Sequence, residues 1–308
     1  MAQLRSLNAI TIPSIKNTAG VIVDPTKVLS GTTISGIAGS MPNNGVLDSP
    51  TKGIYPAGYY SSVRIPGWIT IATDTTARQA LATAYDSSAN LTYAIDGVAS
   101  AYYSTVTAYS YSANSWTAIA SDTTARDSLA AAYDSSANLT YAIDGIITSG
   151  NTISTATAYS HSSNSWTAIA TDTTARQALA TAYDSSANLT YAIDGEAPAI
   201  LSTVTAYSHS SNSWTAIASD TTARYSLAAA YNSSANLTYA IDGNAGGSTY
   251  YSTVTAYSYS SNSWTAIASD TTARGSLAAA YDSSANLTYA IDGVSYSGNL
   301  TTVTAYIA

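Results

Sequence analysis

Residues 71–97 read IATDTTARQALATAYDSSANLTYAIDG, and residues 169–195 repeat them letter for letter. The match is one case of a wider periodicity. Tryptophans at 68, 116, 166, 214 and 264, and the arginines of DTTAR at 78, 126, 176, 224 and 274, step together by 48, 50, 48 and 50 residues. Five copies of one unit therefore follow each other, and the long identical stretch points to duplication of a two-copy block.

Each copy breaks into four strand-like pieces. ALATAYD and LTYAIDG flank the turn-rich SSAN, while TVTAYSY and SWTAIA flank a second Ser/Asn turn, so each pair reads as a hairpin. Leu91, Tyr93 and Ile95 alternate with Thr92 and Ala94, giving one bulky face and one small face, the pattern of sheets stacked face to face. Four-stranded units of about 50 residues repeated in series predict an all-β fold, a five-bladed β-propeller.

The composition agrees with thin, closely packed sheets: among 308 residues there is no Phe and no Cys, but there are 26 Tyr. Without cysteine there are no disulfides, thiolate metal sites or cysteine nucleophiles. Residues up to Gly67 carry a net charge of +3 and the remainder −11, with no lysine after Lys52. A lysine-free acidic body argues against nucleic-acid binding, which needs basic groups in number. The N-terminus lacks a long apolar core of the kind a signal peptide carries, and no run reaches membrane length, so a soluble product made in the cytoplasm, without membrane insertion, is expected.

The chain stops on TTVTAYIA (301–308), which counts as a third strand, so the fifth blade lacks its tryptophan-bearing fourth strand. An orphan of that type, GWITIA (67–72), precedes the first blade. The expectation is a propeller spanning 67–308 and closed by this N-terminal strand, with Trp68 completing the sheet that ends at Tyr306.

The order and spacing of Arg126, Tyr141, Tyr159 and Trp166 resemble a kelch repeat, in which an arginine precedes the first strand, a tyrosine closes the second, and a tryptophan opens the fourth. Where kelch repeats have a glycine pair, this chain has Asp-Gly in every copy, Asp96-Gly97 through Asp292-Gly293, which makes it a divergent, kelch-like relative.

Residues 1–66 share nothing with the repeat and read as a small β-rich module. The stretch from about 28 to 65, with MPNNG (Met41–Gly45) and PAGY (Pro56–Tyr59), resembles a module of bacteriophage tail-fibre and tail-associated proteins, with Tyr60 where a histidine often follows. The resemblance implies a virion protein, attached through residues 1–66 to other tail or fibre proteins and forming a homo-oligomer, a trimer by preference.

Catalytic chemistry has few candidates. His161 and His209 occupy a slot that holds Tyr111 and Tyr259 in other copies, which marks a packing or turn position. Most acids sit at three repeated landmarks: the Asp of DTTAR, able to pair with its Arg; the Asp of YDSSAN, which starts a turn; and the Asp of Asp-Gly. Five Asp-Gly turns would gather a cation if their carboxylates converged, or simply supply turn geometry. The ANLT strings at Asn90, Asn138, Asn188, Asn236 and Asn286, and GNLT at Asn299, match the glycosylation sequon, and turn chemistry explains the first five. The sequence predicts no enzyme: no catalytic residue, no metal centre and no cofactor.

The copies differ most at two places, while the hairpin turns scarcely change. Between the second and third strands they read VASAYYS, IITSGNTIS, EAPAILS, NAGGSTYYS and VSYSGNL, and the residue after the repeated Arg varies as Gln79, Asp127, Gln177, Tyr225 and Gly275. In an up-and-down blade both positions lie at one end, so variation gathers on a single face, the usual place for binding residues. Tyr102, Tyr103, Tyr225, Tyr250, Tyr251 and Tyr296, with Gln79, Asp127 and Gln177, form the candidate recognition face, suited to a host-surface glycan or protein. The alternative is a purely structural tail or capsid decoration protein with no external ligand.

Overall fold

The turns written into each copy set its strands. Asp86 Oδ1 accepts from the N–H groups of Ser88 (2.9 Å) and Ala89 (3.0 Å), and Asn90 takes a left-handed conformation (φ 56°), which folds Ala82–Asp86 back on Leu91–Ile95. Asn114 (φ 45°) turns Val106–Ser110 into Ser115–Ala118 in the same way. The result is a four-stranded antiparallel sheet in which Tyr85 faces Thr92, Tyr93 faces Ala108 and Tyr109 faces Trp116.

The computed structural model describes residues 70–308, and in addition a hairpin pairing Thr33–Ile34 with Ile37–Ala38. The first sheet recurs with strands at Ala130–Asp134, Leu139–Ile143, Ala156–Ser160 and Ser165–Ala168; at Ala180–Asp184, Leu189–Ile193, Val204–Ser208 and Ser213–Ala216; and at Ala228–Asn232, Leu237–Ile241, Val254–Ser258 and Ser263–Ala266. A fifth sheet has three strands, Ala278–Asp282, Leu287–Ile291 and Val303–Ile307. These are five blades of a β-propeller, with no helix among the described residues. The chain divides into two units, Met1–Ile71 and Ala72–Ala308, and all five blades belong to the second. The expected strand around Trp68, and the MPNNG and PAGY motifs, lie outside the described residues.

The core is a series of seams between successive blades. The second-strand tyrosine of one blade meets the third-strand tyrosine of the next edge to face: Tyr93 with Tyr159 (5.3 Å), Tyr141 with Tyr207 (5.1 Å), Tyr191 with Tyr257 (5.2 Å) and Tyr239 with Tyr306 (5.4 Å). Small residues fill what remains, as where Ala82, Ala108 and Ala142 pack with Leu129 and Ile95. A tyrosine and alanine chain can therefore bury a core without phenylalanine.

Two polar devices fasten the seams. Trp166 Nε1 donates to the Ala120 carbonyl at the exit of the preceding blade (2.9 Å), whose N–H donates to Asn164 Oδ1 (3.0 Å). The same pair of bonds holds Ala170 to Trp214 and Asn212, and Ala218 to Trp264 and Asn262. Just before the first strands, Ser128 N–H donates to Ala80 O, Ala178 to Ser128, Ser226 to Ala178 and Ser276 to Ser226, at 2.7–2.9 Å.

The candidate recognition face and the ion-pair belt beneath it

The residue after each repeated Arg pairs through its backbone with the residue after Asp-Gly. Gln79 and Val98 exchange two bonds of 2.9 Å, and Asp127 with Ile146, Gln177 with Glu196, Tyr225 with Asn244 and Gly275 with Val294 pair alike. Every variable loop is thus tied to the variable residue of its own blade, and both kinds of variation share one end of the blades.

Beneath this end the arginines form a buried belt. Arg126 is wholly buried; it donates to Asp122 of its own blade (2.7 Å), to Asp96 of the preceding blade (3.2 Å), and to the carbonyls of Thr155 (2.6 Å) and Asp144 (3.2 Å). Arg176, Arg224 and Arg274 repeat the bridge to Asp144, Asp194 and Asp242. The DTTAR aspartate therefore pairs locally, while the Asp of Asp-Gly crosses the seam. That aspartate also makes the turn: Asp96 has φ 56° and Gly97 φ 103°, and a Cβ at Gly97 would lie 2.8 Å from the Gln79 carbonyl, so only glycine fits.

Arg126, Arg176, Arg224 and Arg274 each face two carboxylates, all with side chains buried or nearly so. Burial, and then the neighbouring Asp122 carboxylate, push Asp96 up to about 9 against the pull of Arg126. Burial and Asp270 push Asp242 up to about 8, and Asp144 and Asp194 are raised well above the usual carboxylate range for the same reasons. At Asp96 and Asp242 a retained proton beside one cation and a second carboxylate leaves the bridge neutral near pH 7, the state a buried site favours. Among the described residues no group of three or more His, Cys, Asp or Glu is arranged to hold a metal ion. The Asp-Gly carboxylates of Asp96, Asp144, Asp194 and Asp242 are each engaged by an arginine of the following blade.

The candidate residues fall into three settings. Tyr103 and Tyr251 donate their N–H to Gly97 O and Gly243 O, bonds that Ile153, Leu201 and Leu300 make in the other blades, so they fill an apolar slot at the loop base. Asp127 is buried, Gln79 is exposed, and Tyr102 is half-buried and bridged to Val98. Tyr296 stands out at 85 % exposure.

The third setting is a contiguous group over blades three to five. Gln177 Nε2 donates to Glu196 Oε1 (3.0 Å). The Tyr225 hydroxyl is raised by partial burial and then by the fields of Glu196 and Tyr250. Tyr250 lays its ring on Gly275, where a Cβ would sit 3.4 Å from two ring carbons. Glu196 was not among the residues picked from sequence; being the chain's sole glutamate, inside a variable loop, was the signal that could have found it. The group offers two aromatic rings, a carboxylate and an amide, partly exposed, at one end of a rigid scaffold.

Fold and face together define a β-propeller with constant seams and a variable rim. No family model and no curated protein matches the chain. Among solved structures it is similar to the one described as the structure of YjhT, with a TM-score of 0.68 and 12 % identity, over 79 % of this chain and 85 % of that one. At this identity the likeness is one of fold.

Proposed function

We propose that this chain is a bacteriophage tail or fibre protein whose kelch-like propeller recognises the host surface through its variable end, with residues 1–66 attaching it to other virion proteins. The setting rests on the resemblance of MPNNG and PAGY to tail-associated modules. The observation that carries the recognition role is the concentration of sequence change at one end, where Gln177, Glu196, Tyr225 and Tyr250 form a single group. Flat amphipathic rings beside amide and carboxylate groups suit a sugar, whose C–H faces stack and whose hydroxyls take polar partners. Many copies on one particle, or a trimeric fibre, turn weak single contacts into avidity.

The test is binding of the full chain to intact host cells and to their purified surface polysaccharide. Saturable binding is expected. Silence on cells and glycan alike contradicts recognition and leaves a structural decoration protein, while release of reducing sugar would make the protein a hydrolase.

A further inference from the structure

Backbone pairing brings the rim residues of blades three and four into one row. Gln177 and Glu196 exchange backbone bonds of 2.9 and 3.0 Å, and Glu196 pairs on with Ile200 in a short hairpin. Gly195 N–H donates to Arg224 O across the seam (2.9 Å), which sets Glu196 beside Tyr225. Tyr225 and Asn244 exchange bonds of 3.1 and 2.8 Å, and Asn244 pairs on with Tyr250. The loop that carries Tyr250 is closed by buried Asn244, whose Oδ1 accepts from Gly246 N–H (2.6 Å), and it leans on the loop of blade three: a Cβ at Gly246 would lie 3.2 Å from Ile200 Cδ1. On its far side the Tyr250 ring rests on Gly275, the one residue after a repeated Arg that has no side chain.

Charge singles out Glu196 within this row. No lysine occurs in residues 70–308, and the five arginines keep their side chains at most 1 % exposed, each against a carboxylate. Over residues 169–268, the span of blades three and four, Glu196 alone among Asp, Glu, Lys and Arg is not buried. Its side-chain partner is an amide rather than a cation: Gln177 Nε2 donates to Oε1 (3.0 Å), and among the described residues nothing donates to Oε2. Partial burial and then the field of Glu196 raise the Tyr225 hydroxyl, as a carboxylate does when no neighbouring cation cancels its charge.

Two half-buried tyrosines beside such a carboxylate are complementary to a compact organic cation. The face of an aromatic ring attracts a cation electrostatically, and the carboxylate supplies the counter-charge. An anionic sugar would meet only negative charge on these two blades, with no lysine or exposed arginine to answer it.

We propose, on the reading that this end recognises the host surface, that the glycan it takes carries an alkylammonium group, which seats on Glu196 beside Tyr225 and Tyr250 while Gln177 holds the carboxylate in place. An N-deacetylated amino sugar and a choline substituent share that chemistry.

The experiment titrates the full chain, by calorimetry, with the tetrasaccharide of glucosamine, with its fully N-acetylated counterpart and with choline chloride. The glucosamine tetrasaccharide is expected to bind about tenfold or more tighter than the acetylated form, and sodium chloride weakens that binding. Binding of the tetrasaccharide without choline assigns a primary ammonium on a sugar, and binding of choline without the tetrasaccharide assigns a quaternary one. Glu196→Gln, which keeps the size of the side chain, loses the ammonium probe with an unchanged melting temperature. Asp292→Asn, which removes an exposed carboxylate of blade five, binds it like the parent. Silence towards both ammonium probes, or an equal loss in Asp292→Asn, overturns the proposal. Host-surface polysaccharide separates this failure from that of host recognition. Polysaccharide that binds the parent and Glu196→Gln alike overturns the ammonium site and leaves rim recognition standing, whereas polysaccharide that never binds, beside an ammonium probe that does, contradicts host recognition and supports the ammonium site.

Discussion

At the residue scale, the bridging arginine and its two aspartates decide how the scaffold responds to pH. Asp96 is pushed up to about 9 by burial first and by Asp122 second. The unfolded chain gives up that proton near pH 4. Between these values the native state binds more protons, so the stability this carboxyl contributes at low pH is lost as pH rises towards about 9. Asp96→Asn keeps the shape and the left-handed turn but cannot ionise. Its urea midpoint is expected to rise relative to the parent between pH 5 and pH 9; a constant difference over that range would show that Asp96 is ionised throughout. The local half of this bridge was legible in the sequence, since Asp122 and Arg126 sit four apart in one string. The other half was not, because Asp96 lies 30 residues away and Asp-Gly reads first as a turn.

At the element scale, the hairpin turns and strand alternation could be read directly from Asp, Asn and Ser in the turns and from the alternation of Leu91, Tyr93 and Ile95. The latch between blades could not, because a tryptophan donating to a carbonyl 46 residues back leaves no local pattern. Trp214 shows what the latch does: its ring packs on Tyr207 (5.2 Å) and its Nε1 donates to Ala170 O (2.8 Å). Trp214→Ala should cost about 3–5 kcal/mol, a large-to-small change at a seam. Trp214→Phe keeps most of the packing and strands one carbonyl, for about 1–3 kcal/mol. Denaturant unfolding separates the two, and equal losses would mean that the indole N–H contributes nothing.

At the scale of the whole molecule, division of labour between constant seams and a variable rim is the central claim. Spacing alone gave the number of blades, and the placing of both variable positions at one end follows from up-and-down topology. Which rim residues meet was not legible, since Gln177, Glu196, Tyr225 and Tyr250 come from four segments brought together only by the pairing of Gln177 with Glu196 and Tyr225 with Asn244. The chain supplies its own substitutes for the rim: Gln177 is the blade-three counterpart of Tyr225, and Thr152 the blade-two counterpart of Tyr250. The most direct measurement is the affinity of host-surface polysaccharide for the full chain, for Tyr225→Gln with Tyr250→Thr, and for the control His209→Ser with Tyr259→Ser in the hairpin turns between third and fourth strands. The rim pair should lose binding at least tenfold with an unchanged melting temperature, and the control should bind like the parent. Equal binding by all three, or loss in the control alone, would contradict a recognition face at the variable end.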